Sequence, residues 1–187
     1  ITCNFTFDHV DFSYIPEEPV LKDFNLHVEA GKSIALVGET GAGKSTIINL
    51  ICRFYEPTGG KILIDGVDYR ERSQLWLQSS MGYVLQQPHL FSGTIKENLR
   101  WGNPNATDEE LEHACRLACA HEFVMEMPEG YSSMLSSKGS NLSGGQKQRL
   151  LIARALAANP EILVLDDASS ALDYQTDANL RRALREN

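Results

Sequence analysis

The chain's 187 residues, 42% hydrophobic and 22% charged, suffice for one globular domain with a buried core and give no sign of disorder. A formal net charge of −8 and a pI near 5.1 argue against nucleic acid as a partner, since its phosphate backbone asks for a basic face. No apolar run approaches the ~20 residues that span a bilayer, no secretory leader is visible, and Cys3, Cys52, Cys115 and Cys119 lie among helix- and strand-type residues, a usage that fits a reducing compartment.

Phe5, Phe7, Val10 and Phe12 alternate with polar residues and predict a strand, and Val20 to Val28 predicts a second, with Pro16 and Pro19 breaking the segment between them. The apolar run Ile34-Ala35-Leu36-Val37 then enters Gly38-Glu39-Thr40-Gly41-Ala42-Gly43-Lys44-Ser45, which leads into the helix-like Thr46 to Cys52. Strand, loop and helix form the context that the phosphate-binding pattern G-x-x-x-x-G-K-[ST] requires. Its glycines let backbone N–H groups close around phosphate oxygens, and the helix start adds its positive dipole end. Lys44 supplies a point charge for the β- and γ-phosphates, and the Ser45 hydroxyl is suited to ligate Mg²⁺. A nucleoside triphosphate site is expected here.

Pro57-Thr58-Gly59-Gly60 predicts a turn into the strand Lys61 to Ile64, and Met81 to Leu85 predicts another strand. From Pro88 to about Pro160 the pattern is helical. Thr107 is an N-cap with Glu110 as its capping-box partner, and a single helix from there to Glu126 carries Leu111, Ala114, Cys115 and Ala118 along one face. His113, Cys115, Cys119 and His121 fall on that helix without a C-x-x-C, and read as small core residues plus exposed histidines rather than metal ligands. Leu142-Ser143-Gly144-Gly145-Gln146 opens a further helix, Ile162 to Leu165 is a buried-strand run ending in Asp166-Asp167, and Ala178 to Arg185 is helical. The alternation of strands and helices predicts an α/β fold with a parallel core sheet. The chain begins at Ile1 in strand-like sequence and ends at Asn187 within a helical segment, as an excised or C-terminally incomplete single domain would.

The order of P-loop, LSGGQ, acidic strand end and Ser170-Ala171-Leu172-Asp173 resembles the nucleotide-binding domain of ATP-binding cassette (ABC) transporters across nearly the whole chain. The resemblance implies an ATPase core with an antiparallel β part over residues 1–87 and 160–187, and an inserted helical subdomain with the signature motif over 88–159. Leu90 to Leu99, LFSGTIKENL, resembles exporter-type domains fused behind a transmembrane domain. That implies a place at the cytoplasmic face of the plasma membrane, of bacterial type.

By the same resemblance Gly38 to Thr46 would bind ATP, and Tyr14 would stack on adenine, a strand Tyr in a core being the competing reading. Asp166 would hold Mg²⁺ with Ser45 and Gln86, against the alternative of an acidic helix cap. Gln86 would also reach the attacking water, with Gln87 as the alternative if the register slips. Leu142, Ser143, Gly144, Gly145 and Gln146 would contact the γ-phosphate of ATP held by a second nucleotide-binding domain, and Asp173 would lie at the same seam.

Two positions depart from the family pattern. Asp167 stands where a glutamate usually acts as general base. It is shorter by one C–C bond, about 1.5 Å, and misplacement by ~1 Å can cost on the order of 10² in rate. Ser137 stands where exporters often place a glutamate. Asp167 and the intact signature together point to the degenerate-site half of a heterodimeric exporter, with low ATPase activity alone. A homodimeric exporter using Asp167 as base and a non-transport ABC ATPase are the alternatives. Long coiled coils typical of DNA-maintenance ATPases do not fit between Lys44 and Ser143, only 99 positions apart.

Overall fold

The computed structural model describes residues 3–32, 34–36, 43–84, 89–165 and 174–186. They fall into two compact units, Ile1–Met81 and Gly82–Asn187.

The first unit is built on an antiparallel sheet. Strand β1 (Phe5–Ile15) pairs with β2 (Glu18–Val28) on one side and, past helix α1 (Lys44–Ile51), with β3 (Gly59–Ile64) on the other; the short β4 (Val67–Asp68) completes the order β2-β1-β3-β4. Phe5, Phe7, Val10 and Phe12 of β1 and Ile62 and Ile64 of β3 are buried. Burying each such side chain contributes roughly 1.5–3 kcal/mol, which fixes the register on that face.

The alternation shifts at a bulge. Phe7 faces Leu26 but Val10 faces Phe24, and both His9 (φ 48°) and Asp23 (φ 46°) adopt left-handed backbone. On the third strand Gly60 (φ 71°) approaches so closely that a Cβ there would lie 2.1 Å from the His9 carbonyl oxygen, so only glycine fits. Side chains replace ladder bonds lost at the bulge: the His9 N–H donates to Asn25 Oδ1 at 3.0 Å and the Asp23 N–H to Asp11 Oδ1 at 2.8 Å. Above them the exposed His9 imidazole pairs with the Asp23 carboxylate.

Helix α2 (Gln74–Ser80), capped by the Ser73 hydroxyl, runs into β5 (Met81–Val84). The second unit continues with β6 (Gly93–Thr94), α3 (Ile95–Arg100), α4 (Asp108–Leu117), α5 (His121–Glu126), β7 (Met134–Leu135), α6 (Gly144–Ala157), β8 (Ile162–Leu165) and α7 (Tyr174–Glu186). β5 pairs with β8, and β6 pairs antiparallel with β7. The core lies between α3, α4 and α6, where Leu99, Leu111, Ala114, Leu150 and Ile152 are buried together with Val124. Capping boxes start α3 (Thr94 with Glu97) and, as expected, α4 (Thr107 with Glu110); such caps contribute about 1 kcal/mol each. Lys96 Nζ at 3.1 Å and Arg100 Nη2 at 2.6 Å both bind Asp108, holding its carboxyl below the usual range.

The single helix expected from Thr107 to Glu126 is two. It ends after Leu117, Cys119 turns into left-handed backbone (φ 58°), and the Ala120 N–H reaches the Cys115 carbonyl at 2.7 Å before α5 begins. Cys115 is buried, and burial pushes its thiol up to about 12, so it is a core residue with no thiolate at neutral pH. His121 differs from the exposed histidine expected: it is half-buried, with Nδ1 2.8 Å from the Tyr131 hydroxyl.

The His9–Asp23 pair generates a pH prediction. The hydrogen bond and charge of Asp23 raise the imidazole above 6.5, and those of His9 lower the carboxyl below 3.8. A raised histidine contributes stability that is fully present below its unfolded value and is lost as pH rises through the folded one. The His9 midpoint, followed by NMR, is therefore expected above 6.5 and should return toward it in Asp23→Asn; an unchanged midpoint would refute the pairing.

Candidate nucleotide site

Of the phosphate-binding segment, Gly43, Lys44, Ser45 and Thr46 are described, while Gly38, Glu39, Thr40, Gly41 and Ala42 lie outside the described residues. The preceding apolar run is described only at 34–36, outside any helix or strand. Gly43 precedes α1 in left-handed backbone (φ 92°, ψ 5°), and a Cβ there would come 3.3 Å from Leu21 Cδ2 of β2. Glycine at this position thus lets the loop turn into the helix while β2 packs close beneath it. Among the described residues no side-chain hydrogen bond caps α1, and its first turn carries no acidic residue. A helix start left in that state offers N–H donors and a positive dipole end to an anion.

Tyr14 is brought to this helix across 32 positions of sequence: its hydroxyl lies 3.2 Å from Thr46 Oγ1 and accepts from Asn49 Nδ2 at 3.1 Å. Its ring stands edge-on to Phe12 at 4.7 Å and to Tyr55 at 5.0 Å between centroids. Thr46 is buried, whereas Tyr14 and Tyr55 are 46% and 48% exposed. The core reading of Tyr14 therefore does not describe it. It is a half-open aromatic surface fixed beside the first turn of α1, able to take a planar ring. Sequence reasoning missed Asn49 and Tyr55, which hold that surface; helical spacing from Lys44 could have placed Asn49 on α1 but not its partner.

In the second unit the signature residues form the start of α6. The Gln146 N–H donates to Ser143 Oγ at 3.2 Å, and the Ser143 N–H donates to Gln146 Oε1 at 3.1 Å, a closed capping box. Ser143 and Gly144 are exposed. Because the cap uses the serine oxygen as acceptor, its hydroxyl hydrogen remains able to donate outward. The loop before this turn is braced internally. Ser136 Oγ sits 2.6 Å from Ser140 Oγ and accepts from the Asn141 N–H at 3.2 Å, and Asn141 Nδ2 donates to the Met134 carbonyl at 3.2 Å. Ser137 is exposed there.

The segment resembling exporter-type domains is also tightly held. The buried Asn98 amide accepts from the Phe91 N–H at 2.8 Å and donates to the Phe91 and Thr94 carbonyls at 2.9 and 3.0 Å. Arg154 of α6 donates to the His89 carbonyl at 2.9 Å, and burial lowers its guanidinium. Gln86 and its alternative Gln87, the carboxylates Asp166 and Asp167, and Asp173 lie outside the described residues.

A family model described as ABC transporter matches residues 21–170. The chain belongs to the ABC transporter family. It is 49% identical over 180 residues, 95% of this chain and 14% of that one, to "Multidrug resistance protein homolog 65" of Drosophila melanogaster. It is 50% identical over 178 residues, 95% of this chain and 31% of the relative, to a "Putative multidrug export ATP-binding/permease protein" of Staphylococcus aureus. Among solved structures, "Structure of a bacterial Atm1-family ABC exporter with ATP bound" superposes with a TM-score of 0.89 at 40% identity, over 99% of this chain and 32% of that chain. The fold is the ABC ATPase fold, an α/β P-loop core with parallel and antiparallel sheets, and the chain is an ABC-type ATPase domain that spans a third or less of these relatives.

The hydroxyl and the ring of Tyr14 have separable roles in this geometry. Tyr14→Phe keeps the aromatic surface and loses only the bonds to Thr46 and Asn49, so ATP affinity measured by calorimetry should fall no more than a few-fold. Tyr14→Ala removes the surface and should weaken ATP by roughly 10-fold or more, an aromatic contact being worth about 0.5–1.5 kcal/mol beyond its area burial. Equal affinities for the two variants would count against the ring as a base platform.

Proposed function

We propose that this domain binds and hydrolyses ATP to power export of a substrate across a membrane, working with a second nucleotide-binding domain and with a transmembrane domain fused on its N-terminal side. The observation that carries the reading is the exposed, capped turn at Ser143–Gln146. It is built to present N–H groups and a hydroxyl to a phosphate, in a chain that also carries a P-loop helix begun by a glycine N-cap. Two phosphate-directed helix starts fit a shared arrangement, in which each ATP is held by one P-loop and closed over by the other domain's signature. The export functions in the relatives' names support the direction of transport.

Within that site, Gly38 to Thr46 cradle the triphosphate, Lys44 neutralises it, and Tyr14 takes the adenine. The donor set for Mg²⁺ is the exposed Ser45 hydroxyl, the Asp166 carboxylate and the Gln86 amide oxygen. These hard oxygen ligands suit that ion, which when bound would neutralise charge on the phosphates. Asp167 would be the group that orients and deprotonates the attacking water. Its short side chain makes this chain's own site slow, whereas Leu142 to Gln146, with Asp173 at the seam, complete a competent site on the P-loop of a different chain.

Three substitutions test this reading in the assembled transporter at saturating Mg-ATP. Lys44→Ala should weaken ATP binding at the chain's own P-loop. Ser143→Arg should abolish most turnover while leaving that binding intact, whereas Asp167→Asn should change turnover little. If Asp167→Asn instead stops turnover as completely as Glu→Gln at the partner's base position, Asp167 is a working base and the homodimeric exporter is the correct reading.

A further inference from the structure

Helix α6 carries a guanidinium that the nucleotide chemistry above does not use. Arg149 follows the signature residues by less than one turn, and its side chain reaches in two directions at once. Nε donates to the Gly145 carbonyl at 3.3 Å, Nη1 donates to the Cys119 carbonyl at 3.1 Å, and Cζ stands 4.9 Å from the centroid of the Phe123 ring. Three elements meet on one planar group: the first turn of α6, the residue just past α4, and the ring carried by α5.

Each contact has a physical reason. Where α4 ends, its last carbonyls and those of the corner lose their helical donors, and Cys119 is turned out of the helix at φ 58°, so this corner needs a cationic donor. A guanidinium suits it because its rigid fork donates along separate directions from one plane and also stacks on an aromatic face. A lysine ammonium, a point charge on a flexible stem, cannot hold both carbonyls and the ring at once.

Packing secures α6 mainly through Leu150, Leu151, Ile152 and Ala153, which are buried, whereas Ser143 and Gly144 at its start are exposed. Arg149 is the tie between that exposed turn and the α4–α5 corner, whose Phe123 is itself buried. On the reading proposed above, the Gly144 and Gly145 N–H groups must meet a phosphate held by another domain, so their aim matters to fractions of an ångström. We infer that Arg149 is a positioning residue for the signature turn: its bond to the Gly145 carbonyl fixes the Gly145–Gln146 peptide that closes the turn, and through it the seat of the Gly144 and Gly145 N–H groups, acting through the turn rather than on the nucleotide.

The test uses the full-length assembly. Arg149→Met keeps an apolar stem over Phe123 and removes both donors, and Arg149→Lys keeps the charge without the fork. Arg149→Met is expected to lower kcat by about 10- to 100-fold, in keeping with the ~10² loss for a misplacement of ~1 Å, while calorimetric ATP affinity at the chain's own P-loop stays unchanged. Arg149→Lys should fall between Met and wild type. Occlusion of labelled ATP at the partner's P-loop should drop with kcat, a one-sided loss that general destabilisation does not produce. Arg116→Met, which removes an exposed α4 guanidinium paired to Glu112 at 2.6 Å, should leave turnover unchanged. Either Arg149 variant turning over at the wild-type rate overturns the inference, as does equal loss of nucleotide at both P-loops. Ser143→Arg measured alongside separates the two levels. If it leaves turnover intact, the reading of the signature turn fails; if it stops turnover while Arg149→Met does not, only the role of Arg149 fails.

Discussion

On the function proposed above, a phosphate held by backbone N–H groups demands helix starts whose donors have not been used up locally, and each unit carries one candidate start, at α1 and at α6. At α1 the N-cap is Gly43, which has no side chain to spend on the helix and delivers the chain in left-handed backbone. At α6 the demand is met by a cap that spends the Gln146 N–H on Ser143 while leaving the glycine N–H groups before it. The cost of leaving a helix end open is small at the surface, where water substitutes. The cost of leaving it loose is larger, since a turn that wanders cannot complement a charge that forms in one place.

Each unit meets the second cost differently. In the first, β2 packs under Gly43 and Tyr14 reaches over to Thr46 and Asn49, so the strands fix the helix start from two sides. In the second, the apolar core holds the body of α6 and polar contacts hold its beginning: the Ser136–Asn141 brace before the turn and the arginine fork after it. Rigid elements aim the donors, and loops carry them.

Much of this was legible in the sequence because it is local. Thr107 with Glu110, and Ser143 opening the LSGGQ helix, are signals confined to four residues, and the structure bears both out. The alternation of Phe5, Phe7, Val10 and Phe12 gave the strand and its buried face. What stayed hidden depends on residues distant in sequence. The run Cys115 to His121 contains alanine, leucine and arginine with no glycine or proline, so nothing local signals a break; at the break the Cys119 carbonyl accepts from Arg149, 30 positions away. The bulge at His9 and Asp23 uses residue types that accept left-handed backbone, but they lie inside runs that read as continuous strands, so nothing local marks the shift. The anchoring of Tyr14 to Thr46 joins two segments that local patterning treats separately. The roles of Gln86, Asp166, Asp167 and Asp173 rest on sequence and family membership, since these residues lie outside the described ones.

The bulge across β1 and β2 has a further effect at the sheet margin. Among the described residues β2 is an outer strand of 11 residues and mostly exposed, the kind of margin on which a second chain could add a strand and seed aggregation. The left-handed Asp23, beside the register shifts between β1 and β2, interrupts the regular row of donors and acceptors there. Pro19 removes one donor, while Glu18, Lys22 and Asp23 keep charge along the strand. The opposite margin, β4, is only two residues long. The irregularity that seats the His9–Asp23 pair thus also keeps this margin of the sheet from serving as a template for a further strand.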